Sequence, residues 1–321
     1  MRFLYGCLST LFLLIILLGG SGAYLFYQLQ KPSELSEPKT VIIARGSNAT
    51  GIAQKLEQEG IIKSALLFRI RYFLQHQPEL KAGEYMFAPH LTLGEAISKM
   101  SAGDIVKRKF TIPEGRTVAE IVQILNAEQG LSGRIEPLPA EGSLLPDTYQ
   151  FTLGDDRNSK IKEMQKAMTE TLMTAWAQRD SETPLTGPQQ LLTLASIVEK
   201  ETGIDAERRR VAGVFINRLR KGMMLQSDPT VTYGITLGNR PLGRQLTAND
   251  LRTPTPYNTY TIPALPPGPI ANPGKAAIMA AALPERNAYF YFVADGTGGH
   301  AFAETLEEHN RNVANWHKIN K

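Results

Sequence analysis

The sequence predicts an α+β protein in three parts: a transmembrane helix at the amino end, a small α+β module, and a larger mixed α/β domain. Three observations predict it. Phe3 to Gln30 contains no charged residue; Lys39 to Lys109 alternates strand-like and helix-like patterns; and beyond Lys109 amphipathic helices are interleaved with proline-rich segments. At 321 residues, the chain is long enough for two folded domains beyond the apolar segment.

The apolar stretch exceeds the roughly 20 residues needed to span a bilayer. Gly20-Ser-Gly-Ala23 offers small residues for signal-peptide cleavage, but the apolar run continues through Tyr24, Leu25 and Phe26, which favours a retained anchor. Leu4-Tyr-Gly-Cys7 lacks an apolar segment before it and is rejected as a lipid-acceptor site. Residues 1–30 are therefore read as anchor plus short cytoplasmic head, with the body outside.

Residues 39–109 form the first module. Thr40 to Ala44 reads as a strand, Gly46 to Gly60 as a capped helix, and Leu66 to Leu74 and Leu93 to Met100 as two further helices. Pro113 to Leu125 echoes the polar turn and helix that follow Arg45, at the start of a second domain spanning 110–321.

Composition narrows the function classes. The single cysteine lies inside the apolar segment and excludes an intrachain disulfide. His76, His90, His300, His309 and His317 show no paired helical spacing, so no metal site is expected. Net charge is +4, and no basic run interleaved with aromatics suggests nucleic acid.

Leu191 to Gly203 carries the most chemical information. On a helix centred on Val198, Leu191, Leu194, Ala195 and Thr202 fall within about 60° of the buried face and Glu201 lies at its edge, whereas Glu199 points about 100° away. Gly203 is expected to supply a left-handed residue ending the helix, leaving Glu201 near the negative end of the dipole. Burial and that dipole both raise a carboxyl pKa, as a general acid for glycosidic cleavage requires. A second helix is expected over Ala206 to Lys221, capped by Asp205. Leu225 to Tyr233, Thr253 to Tyr260 and Leu265 to Gly274 are then expected as rigid loops, rich in amides, hydroxyls and tyrosines suited to a sugar polymer.

Six segments, Ala195 to Thr202, Val214 to Leu219, Leu225 to Thr230, Pro256 to Tyr260, Leu265 to Ile270 and Phe292 to Gly296, closely resemble the MltG (YceG-like) endolytic murein transglycosylases. The resemblance is collinear over almost the whole chain. It implies an inner-membrane, single-pass enzyme with its body in the periplasm. Such an enzyme cuts peptidoglycan glycan strands between N-acetylmuramic acid and N-acetylglucosamine and leaves 1,6-anhydromuramyl ends. The catalytic glutamate of the family falls on Glu201, with Glu199 as the alternative. The first module is similar to the LysM-like glycan-binding modules of the family, the rival reading being a plain spacer. The second domain becomes a catalytic domain with a catalytic helix and Pro-rich loops.

The implied chemistry needs one carboxyl and no cofactor, because the muramyl C6 hydroxyl is the nucleophile and a single Glu first donates and then accepts a proton. Gln226, Ser227 and Asn258 are assigned as hydrogen-bonding candidates, and Tyr257 and Tyr260 as stacking candidates. Asp228 is either a second carboxylate, which with a water would make the enzyme an inverting hydrolase, or an Asx-turn before Pro229. A water-using hydrolase and a non-catalytic wall-binding scaffold stand as the alternatives. Membrane-bound peptidoglycan synthases are the expected partners.

Glu141 to Tyr149 resembles a family segment in which Ser143 and Leu145 replace aromatics, leaving Glu141 and Asp147 to line the cleft or hold a loop. Asp295 to His300 lies between two strand-like segments and reads as a hairpin turn rather than a nucleotide loop.

Overall fold

The computed structural model describes Arg2–Ile319. Met1, Asn320 and Lys321 lie outside the described residues, as do the side chains of Arg2 to Ser9, so the expectations made at Met1 and Cys7 are not addressed. The fold is a mixed α/β one, and the chain divides into two compact units. The first runs to Arg108 and includes Phe151–Leu153; the second comprises Lys109–Gln150 and the chain from Gly154 onward.

The first unit begins with α1 (Arg2–Gln30). Its stretch Thr10–Gln30 is the one described helix long and apolar enough to cross a membrane, with mean hydropathy 1.9. The order then runs β1 (Lys39–Ile43), α2 (Ala49–Gln58), α3 (Ala65–Leu74), β2 (Gly83–Phe87) and α4 (Leu93–Ala102). β1 and β2 pair antiparallel, with Lys39 opposite Phe87 and Ile43 opposite Gly83. That register turns Val41, Ile43, Tyr85 and Phe87 inward, where they meet Ile52, Leu56, Phe68, Ile97 and Met100. The helix expected from Gly46 starts only at Ala49, because the Asn48 side chain accepts from Gly51 N–H and caps it.

β3 (Arg108–Thr111) and β4 (Thr148–Phe151) form a second two-stranded sheet, with α5 (Val118–Ala127) between them in sequence. The second unit continues with α6 (Arg157–Gln178), α7 (Pro188–Glu201), α8 (Asp205–Arg220), α9 (Asp228–Thr236), α10 (Ala248–Arg252) and α11 (Lys275–Ala282). A hairpin of β5 (Tyr291–Ala294) and β6 (His300–Ala303) follows, then α12 (Leu306–Ile319). The expected turn at Asp295 to His300 is the tip of that hairpin.

α7 is the hub. Every residue from Leu191 to Val198 is buried, because α6, α8, α9 and α11 all pack on it. The helix expected to bury one side is therefore buried all round until its last turn. Within the buried stretch, Thr193 and Ser196 satisfy their hydroxyls on the helix carbonyls of Gln189 and Thr193.

Two boundary expectations change. Gly203 is not left-handed: Thr202 adopts extended backbone (φ −140°, ψ 131°), and Ile204, not Asp205, is the N-cap of α8. An extended link lets the chain leave one helix and enter the next within three residues. Asp205 instead pairs with Arg208 inside the first turn. The segment expected as a loop from Leu225 to Tyr233 becomes α9 from Asp228 onward, with Pro229 in its first turn, where a missing N–H is harmless.

Candidate active site at the end of the central helix

Glu201 closes α7 and is partly buried, and Ser227 Oγ donates to its Oε1 at 2.5 Å. Burial, the largest influence, pushes the Glu201 carboxyl up to about 7, and the nearby Asp228 charge adds to it, while Ser227, His300 and Arg218 pull the other way. A carboxyl poised there is divided between its protonated and ionised forms near neutral pH, so it can both give and take a proton.

Ser227 occupies the N-cap of α9 yet makes no side-chain cap bond. Its hydroxyl is turned toward Glu201 instead. The residue is held by its backbone: its N–H donates to Thr259 Oγ1 at 3.0 Å, its carbonyl accepts from Thr230 Oγ1 at 2.6 Å, and the two threonine hydroxyls lie 2.8 Å apart. Ser227, Thr230 and Thr259 are all buried. Neither threonine was singled out from the sequence, since a hydroxyl gives no sign of a partner some thirty residues away.

Asp228, at the first position of α9, accepts from Tyr260 Oη at 2.6 Å. Burial raises the Tyr260 phenol most, the bond to Asp228 and its charge add to it, and the charge of Glu201 nearby adds less. Asp228 thus points its carboxylate at a tyrosine rather than closing an Asx-turn. Gln226 is exposed and takes a left-handed backbone (φ 51°), a strained choice for a residue with a side chain, fixed by its N–H on Thr259 O at 3.0 Å.

The remaining two candidates are placed differently. Asn258 is fully buried, with its amide donating to the carbonyls of Asp250, Leu251 and Thr253 and its oxygen accepting from Tyr260 N–H. That amide ties α10 to the segment bearing Tyr260 and is spent on backbone, not presented to a ligand. The Tyr257 ring is half-buried and packs against the core, its centroid 4.8 Å from the tilted ring of Tyr233.

Glu199 has a different occupation. Its Oε2 accepts from Gly274 N–H, the N-cap of α11, at 2.9 Å, and its Oε1 lies 3.8 Å from Arg208. The carboxylate anchors a helix N-terminus. Glu141 does similar work: Oε1 accepts from Val118 N–H at the start of α5 and from Asn272 Nδ2, both at 2.9 Å, and burial pushes the carboxyl up to about 7. The alternative that Glu141 holds a loop is the one its contacts support.

Two groups missed in the sequence complete the surroundings. Arg218, on the buried face of α8, donates to Leu225 O at 2.7 Å and Phe290 O at 2.6 Å, tying the segment before Ser227 to the β5–β6 hairpin. His300, at the start of β6, holds Glu207 through Nδ1 at 2.6 Å. A buried Arg on an otherwise apolar helix face was the available signal for the first. Among the described residues, no group of three or more His, Cys, Asp or Glu side chains converges as a metal site.

A partly buried carboxyl with a raised pKa at a helix end, set beside a serine and a tyrosine–aspartate pair, is an arrangement able to exchange a proton. The chain matches the YceG-like family over residues 41–315, and it belongs to that family. It is 31% identical over 327 residues to the endolytic murein transglycosylase of Bacillus subtilis (strain 168), with 90% of this chain and 89% of that protein covered. It is also 31% identical to the endolytic murein transglycosylase of Streptococcus pneumoniae serotype 2 (strain D39 / NCTC 7466), covering 94% of this chain but 64% of that longer protein. A crystal structure of a yceG-like protein from Listeria monocytogenes superposes with a TM-score of 0.55 at 33% identity, covering 86% of this chain and 99% of that one.

Proposed function

We propose that this protein is a lytic transglycosylase of peptidoglycan in which Glu201 is the one catalytic acid and base. The observation that carries the reading is the Glu201 carboxyl itself, partly buried, pushed up to about 7 and held by Ser227. Protonated Glu201 gives its proton to the glycosidic oxygen between N-acetylmuramic acid and N-acetylglucosamine. The resulting carboxylate then takes the proton of the muramyl C6 hydroxyl as that oxygen closes on C1, leaving a 1,6-anhydro end. Ser227 supplies a hydrogen bond that stabilises the carboxylate form and fixes the rotamer. Gln226, Asp228 and Tyr260 are the side chains assigned to the bound sugar, with Tyr260 offering the ring. Relatives named endolytic murein transglycosylase support the reaction class.

Residues 1–30 act as a single-pass anchor in the inner membrane with the body in the periplasm, which the apolar stretch Thr10–Gln30 supports. Residues 39–109 serve as a LysM-like glycan-holding module, a reading supported by their strand–helix–helix–strand order. Residues 110–321 form the catalytic domain, its Pro-rich segment walling the site. A body tethered at the membrane meets nascent strands beside a peptidoglycan synthase, cuts them internally and terminates their elongation.

The test is mass spectrometry of fragments released from purified sacculi. Anhydromuramyl ends from the wild-type protein and none from Glu201→Gln are expected. Reducing ends that depend on Asp228 would establish a water-using hydrolase instead, and binding without cleavage a scaffold.

A further inference from the structure

The first unit exposes an apolar stripe that its own fold leaves uncovered. α3 reads Ala-Leu-Leu-Phe-Arg-Ile-Arg-Tyr-Phe-Leu. Phe68 is fully buried in the core of the unit, yet Leu66, Phe73 and Leu74 are 63%, 67% and 55% exposed. At about 100° per residue Leu66, Ile70 and Phe73 share one face, with Arg69 and Leu74 on its flanks. Scattered exposed leucines need no explanation, but Leu66, Phe73 and Leu74 exposed together along one short helix, with the half-buried Ile70 between them packed on the core, do.

The position of α3 says what covers it. α3 packs against α1, and Leu29 of α1 is buried in the same core as Phe68. The last turn of α1 is therefore built into the unit rather than joined to it by a slack tether. Tyr24, Phe26 and Tyr27, immediately before that turn, are all exposed and have the composition of an aromatic belt at a membrane surface. At 1.5 Å per residue, these rings lie within about 8 Å along the helix axis of Leu29. The lipid–water boundary therefore falls close to α3. Arg69, exposed on its flank, supplies positive charge beside the stripe, whereas Lys63, just before the helix, is paired with Glu34.

We propose that α3 is an interfacial helix: Leu66, Phe73 and Leu74 insert into the headgroup and upper acyl layer of the bilayer, and Arg69 lies against anionic lipid phosphates. The first unit is thereby docked on the membrane at two points and loses most of its freedom to swing. This inference rests on α1 being a membrane helix.

The experiment uses the full-length protein with Cys7 replaced by Ser, reconstituted in phosphatidylcholine vesicles with and without phosphatidylglycerol. Single cysteines at Leu14 in α1, Leu66 and Phe73 in α3, and the exposed Leu138 are spin-labelled in turn, and their accessibility to oxygen and to a water-soluble nickel chelate is measured. Labels at 14, 66 and 73 are expected in lipid, the last two shallow, with chelate accessibility several-fold below that at 138 and lower still with phosphatidylglycerol. Lipid contact at 14 with aqueous values at 66 and 73 would overturn the interfacial helix and leave the anchor standing. Aqueous values at 14 would overturn the anchor and the inference with it. Spin–spin broadening at 73 that appears as protein density in the vesicles rises, without lipid contact, would show a second copy covering the stripe and would also overturn it.

Discussion

Ser227 Oγ donates a 2.5 Å hydrogen bond to Glu201 Oε1, although Ser227 stands where a helix N-cap would ordinarily accept from its own helix. An N-cap side chain contributes about 1 kcal/mol. That contribution is forgone at α9 and its place taken by a bond that favours the charged form of one carboxyl.

Ser227→Ala is accordingly expected to raise the Glu201 pKa, since Ser227 lowers it. The alkaline limb of the pH–rate profile should move up by some tenths of a pH unit and kcat should fall by about tenfold, within the range for loss of a bond to a charged group. A purely structural serine would change the melting temperature and leave that limb where it was.

Asp228→Asn should act with the opposite sign. Asp228 raises the Glu201 pKa, so removing its charge moves the alkaline limb to lower pH, while Tyr260 keeps an acceptor. Anhydromuramyl products are expected to persist. Complete loss of turnover with native circular dichroism would give Asp228 the second catalytic role.

Glu201→Gln keeps shape but cannot transfer a proton, and a loss of at least about 10²-fold in cleavage is expected with the fold intact. Glu199→Ala should show the reverse balance: cleavage survives in the molecules that fold, but the Gly274 N–H is left without its acceptor. A stability loss of about 1–3 kcal/mol in denaturant titration would report it.

Glu141 and Glu201 both carry folded-state pKa values of about 7 against an ordinary 4.5. The folded protein thus binds more protons than the unfolded chain between those values, and stability falls as pH rises through that window. Glu141→Gln, whose amide oxygen can still accept from Val118 and Asn272, should flatten part of the fall in melting temperature between about pH 5 and pH 8. An unchanged slope would mean that Glu141 ionises freely in the folded state.

Asn258→Ala should destabilise the body by about 2–3 kcal/mol, because three carbonyls of α10 and its exit lose their donor. Asn258→Asp should do no better, since a carboxylate offers those carbonyls nothing. A variant that kept its melting temperature but lost glycan affinity would restore the ligand-binding role assigned from the sequence.

By itself the sequence determined what depends on near neighbours. The uncharged run of α1, the helices α2 to α5 and the hairpin at Asp295 to His300 were legible because capping, turn chemistry and periodicity act over a few residues. Glu201 was legible as a carboxylate at the edge of an apolar helix face, with Glu199 as its rival. The tertiary structure distinguished their surroundings: Gly274, 75 residues away, occupies Glu199, while Ser227, 26 residues away, reaches Glu201. It also spent Asn258 on backbone, packed Tyr257 beside Tyr233, and turned a supposed loop into α9. Those outcomes depend on which helices pack around α7. A hydroxyl or amide carries no mark in sequence of which distant group it will meet, since its partner is chosen by the packing of apolar surface and not by the polar group itself.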